Sequence, residues 1–245
     1  MTESPGLPGK VEQDPGSPRP DRFRLLSHQL ASTVLDLLFP PRCLNCKRVG
    51  SLLCQSCLSK IPTVAPIHER GSPLAERRAT AEFADVIQTA IHELKYNGKR
   101  DFAPILGQRL ADELKRSGWQ PTLITAAPLH AARYKQRGYN QAAMLADHLA
   151  RQANLPFSAD ALHRTRDTRP QVGLGRKDRQ ENMVGAFAAN PTIVKDQAVV
   201  IVDDVYTTGA TLRACASALL EAGASKVWAL TVASAGRTEI QAMSQ

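Results

Sequence analysis

The chain has 245 residues, 43% of them apolar, and a formal net charge of +8. That supports one α/β domain with a small appendage and needs no disulfide staples, and no run of about 18 apolar residues is present to span a membrane. The basic balance points to polyanionic partners, and it is concentrated: from His130 to Arg179 ten Lys/Arg stand against four acids, which suits a phosphate-rich small molecule or a nucleic acid.

Residues 1–22 are rich in Pro, Gly, Ser and charge and read as a disordered tail. The N-terminus lacks the basic-then-apolar order of a signal peptide, so a cytoplasmic location is expected. From Arg22 to Phe39, apolar residues at 23, 26, 30, 34, 37 and 38 recur at helical spacing, and Pro40-Pro41 ends the pattern. This amphipathic helix is expected to dock on its own protein.

Cys43, Cys46, Cys54 and Cys57 follow as two C-x-x-C pairs within 15 residues. Two such pairs clasp a tetrahedral ion, and structural zinc is the expectation; a redox pair and an iron–sulfur centre are the rivals. A Cys₄ set leaves no open coordination position, so no catalysis is assigned to it. Helix and cysteines together make a module over 23–62. Residues 61–80, punctuated by Pro62, Pro66, Gly71 and Pro73, read as a linker, and the main domain is expected over 80–237.

Helices are expected from Phe83 to Leu94 and from Asp101 to Ser117, with a turn at Lys95 to Lys99 and closure at Gly118. Leu123 to Ala127 reads as a strand. A basic loop leaves its carboxyl end, carrying Arg133, Lys135 and Arg137, and Asn140 is placed to cap a helix from Gln141 to Gln152. Arg164, Arg166, Thr168, Gln171, Arg179 and Asn182 lie in a polar stretch with two glycines, which suits a loop closing over a charged ligand.

The most informative stretch is Ala198 to Thr211. Val199 to Val202 is an unbroken β-branched run, as in a strand buried on both faces of a parallel sheet. It stops at Asp203 and Asp204. Thr207, Thr208, Gly209, Ala210 and Thr211 follow as a tight loop opening a helix. A helix N-terminus offers unpaired N–H groups and partial positive charge, which hold a phosphate. Two carboxylates would repel that phosphate but can accept from the hydroxyls of a sugar diol. Phosphate and diol together describe a ribose 5-phosphate. The plainer alternative is that the aspartates cap a helix and the threonines only turn the chain. A final helix from Ala210 to Glu221 and a strand from Val227 to Ala233 complete the domain. No Walker A loop, H-E-x-x-H or G-x-S-x-G is present.

Val202 to Thr211 resembles the signature of type I phosphoribosyltransferases, which bind 5-phosphoribosyl 1-diphosphate (PRPP). Together with the cysteine pairs, Leu129-His130-x-x-Arg133, Arg137-Gly138-Tyr139-Asn140-Gln141, Arg164/Thr168/Gln171 and Arg179/Asn182, the chain resembles the ComF family over about residues 25–235. The resemblance implies an N-terminal zinc ribbon on a type I phosphoribosyltransferase fold, a parallel sheet flanked by helices. It also implies a link to DNA uptake in natural transformation, with competence-machinery proteins and single-stranded DNA as partners. The family's P-x-P-L segment departs here, with Ala126 at its first position.

On that reading Thr207 to Thr211 hold the 5-phosphate, and Asp203 and Asp204 hold the ribose hydroxyls and stabilise positive charge at C1. Arg133, Arg137 and Arg179 neutralise the departing diphosphate, and Mg²⁺ accompanies PRPP. Tyr134, Tyr139 and Tyr206 are candidates to stack on a base. Three functions follow from different classes: a phosphoribosyl-transferring enzyme, a non-catalytic PRPP or nucleotide sensor, and a protein that handles single-stranded DNA.

Overall fold

The computed structural model describes residues 40–165 and 185–236. The stretch read as a tail over 1–22, the helix expected from Arg22 to Phe39 and the polar stretch with Arg166, Thr168, Gln171, Arg179 and Asn182 therefore lie outside the described residues.

After the cysteine knuckle with its one-turn helix α1 (Gln55–Leu58), the elements run β1 (Arg77–Glu82), α2 (Asp85–Tyr96), α3 (Phe102–Ser117), β2 (Leu123–Ala126), α4 (Ala131–Arg137) and α5 (Gln141–Ala153). Then come β3 (Leu162–Arg164), β4 (Phe187–Ala189), α6 (Pro191–Val194), β5 (Ala198–Tyr206), α7 (Ala210–Glu221) and β6 (Lys226–Ser234). Four strands form a parallel sheet in the order β1-β6-β5-β2. β3 and β4 pair separately as an antiparallel ribbon.

Strand β5 shows why the sequence alternates nothing in its first half. Val200 and Val202 face a core built with α2, α3 and α5, whereas Val199 and Ile201 face one built with α7. With both faces covered, every position must be apolar. β6 follows the same rule, with Trp228 and Leu230 on the first face and Val227 and Ala229 on the second. α3 and α5 cross so closely that a Cβ on Gly107 would come 2.5 Å from the Cβ of His148.

Several expectations change. β1 takes in the last residues of the stretch read as linker. Its sequence is charged and small, but Thr80 and Ala81 are buried against β6, and Thr80 donates to the carbonyl of Val232 at 2.7 Å. β5 does not end at the aspartates: its register with β6 runs on to Tyr206 opposite Ser234. The basic segment after β2 is helix α4, capped by His130 Nδ1 accepting from the N–H of Ala132. The Asn140 cap is as expected, its Oδ1 accepting from the N–H groups of Ala142 and Ala143.

The knuckle is not a separate bead. Cys43, Leu53, Cys54 and Cys57 belong to the same apolar core as α2, α3 and α5. Arg109 of α3 fastens it, donating to the carbonyls of Leu58 (3.2 Å) and Thr80 (2.9 Å).

Candidate ligand cleft and metal centre

β5 and β2 deliver their carboxyl ends to one rim of the sheet, where open parallel sheets bind ligands. A cleft of about 330 Å³ opens there, lined by Asp203, Asp204, Thr207 and Thr211 and by the cations Arg133, Arg137 and Lys95. Its volume falls in the range of small-molecule sites.

The two aspartates differ. Asp204 is buried and both of its oxygens are engaged. Oδ1 meets Lys95 Nζ at 2.7 Å, and Oδ2 accepts from Gln141 Nε2 at 2.7 Å. Asp203 is half-buried, and its Oδ1 accepts the N–H of Asp204 at 2.8 Å. Burial, followed by the negative charge of Asp204, pushes the Asp203 carboxyl up to about 7, against the pull of Lys95 and Arg133. So one acid of the pair has a built-in cation as partner, and the other titrates near neutrality.

The loop after β5 is shaped from behind. Gly209 has a φ of 74°, and a Cβ there would lie 2.0 Å from the Tyr206 hydroxyl oxygen, so only glycine fits. Tyr206 donates to Glu69 Oε1 at 2.8 Å, and Arg213 donates to Glu69 Oε2 at 3.2 Å, to the Tyr206 hydroxyl at 3.0 Å and to the Thr208 carbonyl at 2.8 Å. Arg77 donates to Glu69 at 3.0 Å and lies 3.8 Å over the Tyr206 ring. Burial opposes the charge on Glu69, but the hydrogen bonds from Tyr206 and Arg77 outweigh it and bring the carboxyl below its usual range. Thr208 Oγ1 accepts from the N–H of Ala210 at 3.5 Å, while Thr207 and Thr211 line the cleft. The Ala210 N–H opens α7.

Arg133 and Arg137 stand one turn apart on α4, hence on one face. Arg137 donates to Gln141 Oε1 and its guanidinium lies 5.3 Å from the ring centre of Tyr96. Of the proposed stacking tyrosines, Tyr139 and Tyr206 are buried, and both hydroxyls are spent, on the Leu94 carbonyl and on Glu69. They are scaffold. Tyr134 is exposed, and so is Tyr96, which lines the cleft and was not anticipated. Lys95 and Glu69 were also missed. A lysine in the turn that follows a helix reads as a solvated cation, and only the fold places it in the last turn of α2 beside Asp204.

The four cysteines come together apart from the cleft. Their sulfurs all lie within 4.8 Å of one another, with Cys46 and Cys54 3.6 Å apart. Thiolates at the corners of a zinc tetrahedron stand about 3.8 Å apart, so the set fits the ion. The Cys54 N–H donates to the Cys43 sulfur at 3.4 Å, the outer-shell contact that orients a thiolate. Burial alone would raise the Cys43 thiol, but the N–H groups of Cys54, Cys46 and Asn45 bring it down to about 6, which favours a ligating thiolate. No helix among the described residues is long and apolar enough to cross a membrane.

Residues 140–242 match the phosphoribosyl transferase domain, and residues 34–82 match a double zinc ribbon domain. The second stretch holds four cysteines, enough for one Cys₄ site. The chain is 32% identical over 206 residues to the DNA utilization protein YhgH of Escherichia coli K12, covering 81% of this chain and 86% of that one. It is 37% identical over 114 residues to Competence protein F of Haemophilus influenzae, covering 45% and 50%. Among solved structures, the glutamine PRPP amidotransferase of B. subtilis aligns over 53% of this chain and 26% of its own, with 23% identity and a TM-score of 0.38. A phosphoribosyltransferase fold carrying an N-terminal Cys₄ zinc ribbon, with relatives named for competence and DNA utilization, places the chain in the ComF family.

Proposed function

We propose that the cleft binds PRPP. The observation that carries this reading is one cleft in which the helix-opening loop at Thr207 and Thr211, the acid pair Asp203/Asp204, and the cations Arg133 and Arg137 line a common space. Each wall answers one part of the ligand. The 5-phosphate lies on the loop and the N-terminus of α7, the ribose hydroxyls donate to the aspartates, and the diphosphate meets the arginines. Arg179 is assigned to the diphosphate as well, from the family resemblance. PRPP enters as its Mg²⁺ complex. The ion would be held chiefly by PRPP oxygens and water. When bound, it screens the diphosphate charge.

The chemistry this arrangement favours is displacement at ribose C1. An acceptor nucleophile forms a bond to C1 as the bond to diphosphate oxygen breaks, the electron pair leaving with diphosphate. Arg133 and Arg137 steady that leaving charge, and the acid pair Asp203/Asp204 stabilises positive charge developing on the sugar. The protein's share is positioning and charge. A sensor that binds PRPP without turnover uses the same walls.

Calorimetric titration with PRPP and Mg²⁺ tests the reading. One saturable site is expected, lost in Asp203→Ala/Asp204→Ala; unchanged binding in that variant removes the assignment. Diphosphate release above the buffer rate, with water or a panel of bases and amines, separates the enzyme from the sensor.

The names of the relatives favour a second role in handling single-stranded DNA and working with competence proteins. Exposed Tyr134 lies on the basic helix α4 beside a broad groove shared with Lys135, His163 and Arg164, a combination of cations and a stacking ring suited to a single strand. Binding that weakens linearly with log salt supports it; no shift at low salt counts against it.

A further inference from the structure

Lys95, a cation of the cleft, already has a carboxylate. Its Nζ lies 2.7 Å from Asp204 Oδ1, while Gln141 takes Oδ2. With these partners on its two oxygens and only 5% of its side chain exposed, Asp204 presents little acceptor surface to a ribose hydroxyl. Lys95 is nevertheless not sealed away. Its side chain keeps 20% exposure against 5% for Asp204, and it lines the cleft together with Arg133 and Arg137. An ammonium has three donors, and this contact uses one.

Resting on the PRPP reading, we propose that Lys95 is the residue that distinguishes a diphosphate-bearing ribose from ribose 5-phosphate. In the empty cleft it neutralises Asp204, so that two adjacent acids do not face each other unscreened. When PRPP enters, the diphosphate on C1 lies next to the C2 hydroxyl that the acid pair receives. A multiply charged diphosphate outcompetes one carboxylate for the ammonium. Lys95 transfers to a diphosphate oxygen, and Asp204 Oδ1 becomes an acceptor for the ribose hydroxyl. Ribose 5-phosphate offers no anion at C1, so it cannot draw Lys95 away and must bind against the existing ion pair. One cation thus couples recognition of the leaving group to opening of the sugar site.

The test is the ratio of the dissociation constant for ribose 5-phosphate to that for PRPP, measured by calorimetry on the full chain with Mg²⁺. The contribution of the shared 5-phosphate cancels in this ratio. Lys95→Met is expected to lower it by at least about tenfold, as befits loss of one charged hydrogen bond, and Lys95→Arg to restore part of it. Asp204→Asn frees Lys95 from its intramolecular competitor and is expected to raise the ratio. Because Lys95→Met leaves a buried carboxylate unpaired and risks the fold, Lys95→Met/Asp204→Asn serves as the neutral control, with a ratio as low as the single lysine variant. A folded lysine variant, single or double, that keeps the wild-type ratio overturns the proposal and leaves Lys95 as a counter-ion of Asp204 alone. If wild type binds neither ligand, the PRPP reading itself has failed.

Discussion

Replacing Asp203 by Asn tests the electrostatics of the cleft before any ligand is added. The folded protein holds the Asp203 carboxyl at about 7, against an ordinary value of 3.8. Between those values the folded state binds a proton that the unfolded chain has released. The stabilisation from this group is therefore fully present below 3.8 and is lost as pH rises through about 7. From pH 7 down to pH 5 it grows by about 1.36 kcal/mol per unit, or about 2.7 kcal/mol. Water in the cleft screens the charge, so about 1–2 kcal/mol of that is expected to register. Asn is isosteric with the protonated acid, and its Oδ1 can still accept the Asp204 N–H, but it does not titrate. Urea unfolding of both proteins at pH 5 and pH 8 reads the effect. The Asn variant is expected to gain about 1–2 kcal/mol on wild type in going from pH 5 to pH 8. A gap that is equal at the two pH values, or that moves the other way, refutes the reasoning. The cause is burial first and the adjacent charge of Asp204 second.

Other parts of the account make separate predictions. Glu69→Ala removes the acceptor shared by Tyr206, Arg77 and Arg213 and is expected to weaken ribose 5-phosphate binding about tenfold, with Glu69→Gln intermediate; unchanged affinity in the Ala variant would detach Glu69 from the loop. Gly209→Ala drives a methyl into the Tyr206 ring and should abolish binding of ribose 5-phosphate while circular dichroism stays near wild type; full affinity would mean the loop shape is not selective. Zinc should be found at one equivalent in protein purified without added metal. Its removal by a chelator should lower Tm for the whole chain, because Cys43, Cys54 and Cys57 share the main core; a metal-free protein with unaltered Tm contradicts the structural role.

Much of this architecture can be read from residues because its cause is local. Val199 to Val202 announces a strand covered on both faces. Asn140 declares its cap, Gly118 and Gly209 mark turns, and two cysteine pairs specify a tetrahedral site. What stayed hidden depends on contacts distant in sequence. β1 carries arginines, alanines and a glutamate, and is a strand because β6 supplies its partners. α4 has no buried face, so nothing periodic marks it as a helix. Glu69 lies 137 residues from Tyr206, and Lys95 more than 100 from Asp204, so neither role has a local signature.

The most direct test of the central claim is a crystal structure of the full chain with PRPP and Mg²⁺. The account predicts phosphate density at the start of α7, in contact with backbone N–H groups of the 207–211 loop, and ribose hydroxyls turned toward Asp203 and Asp204. Phosphate bound elsewhere, with that loop and the acid pair bare, would contradict it.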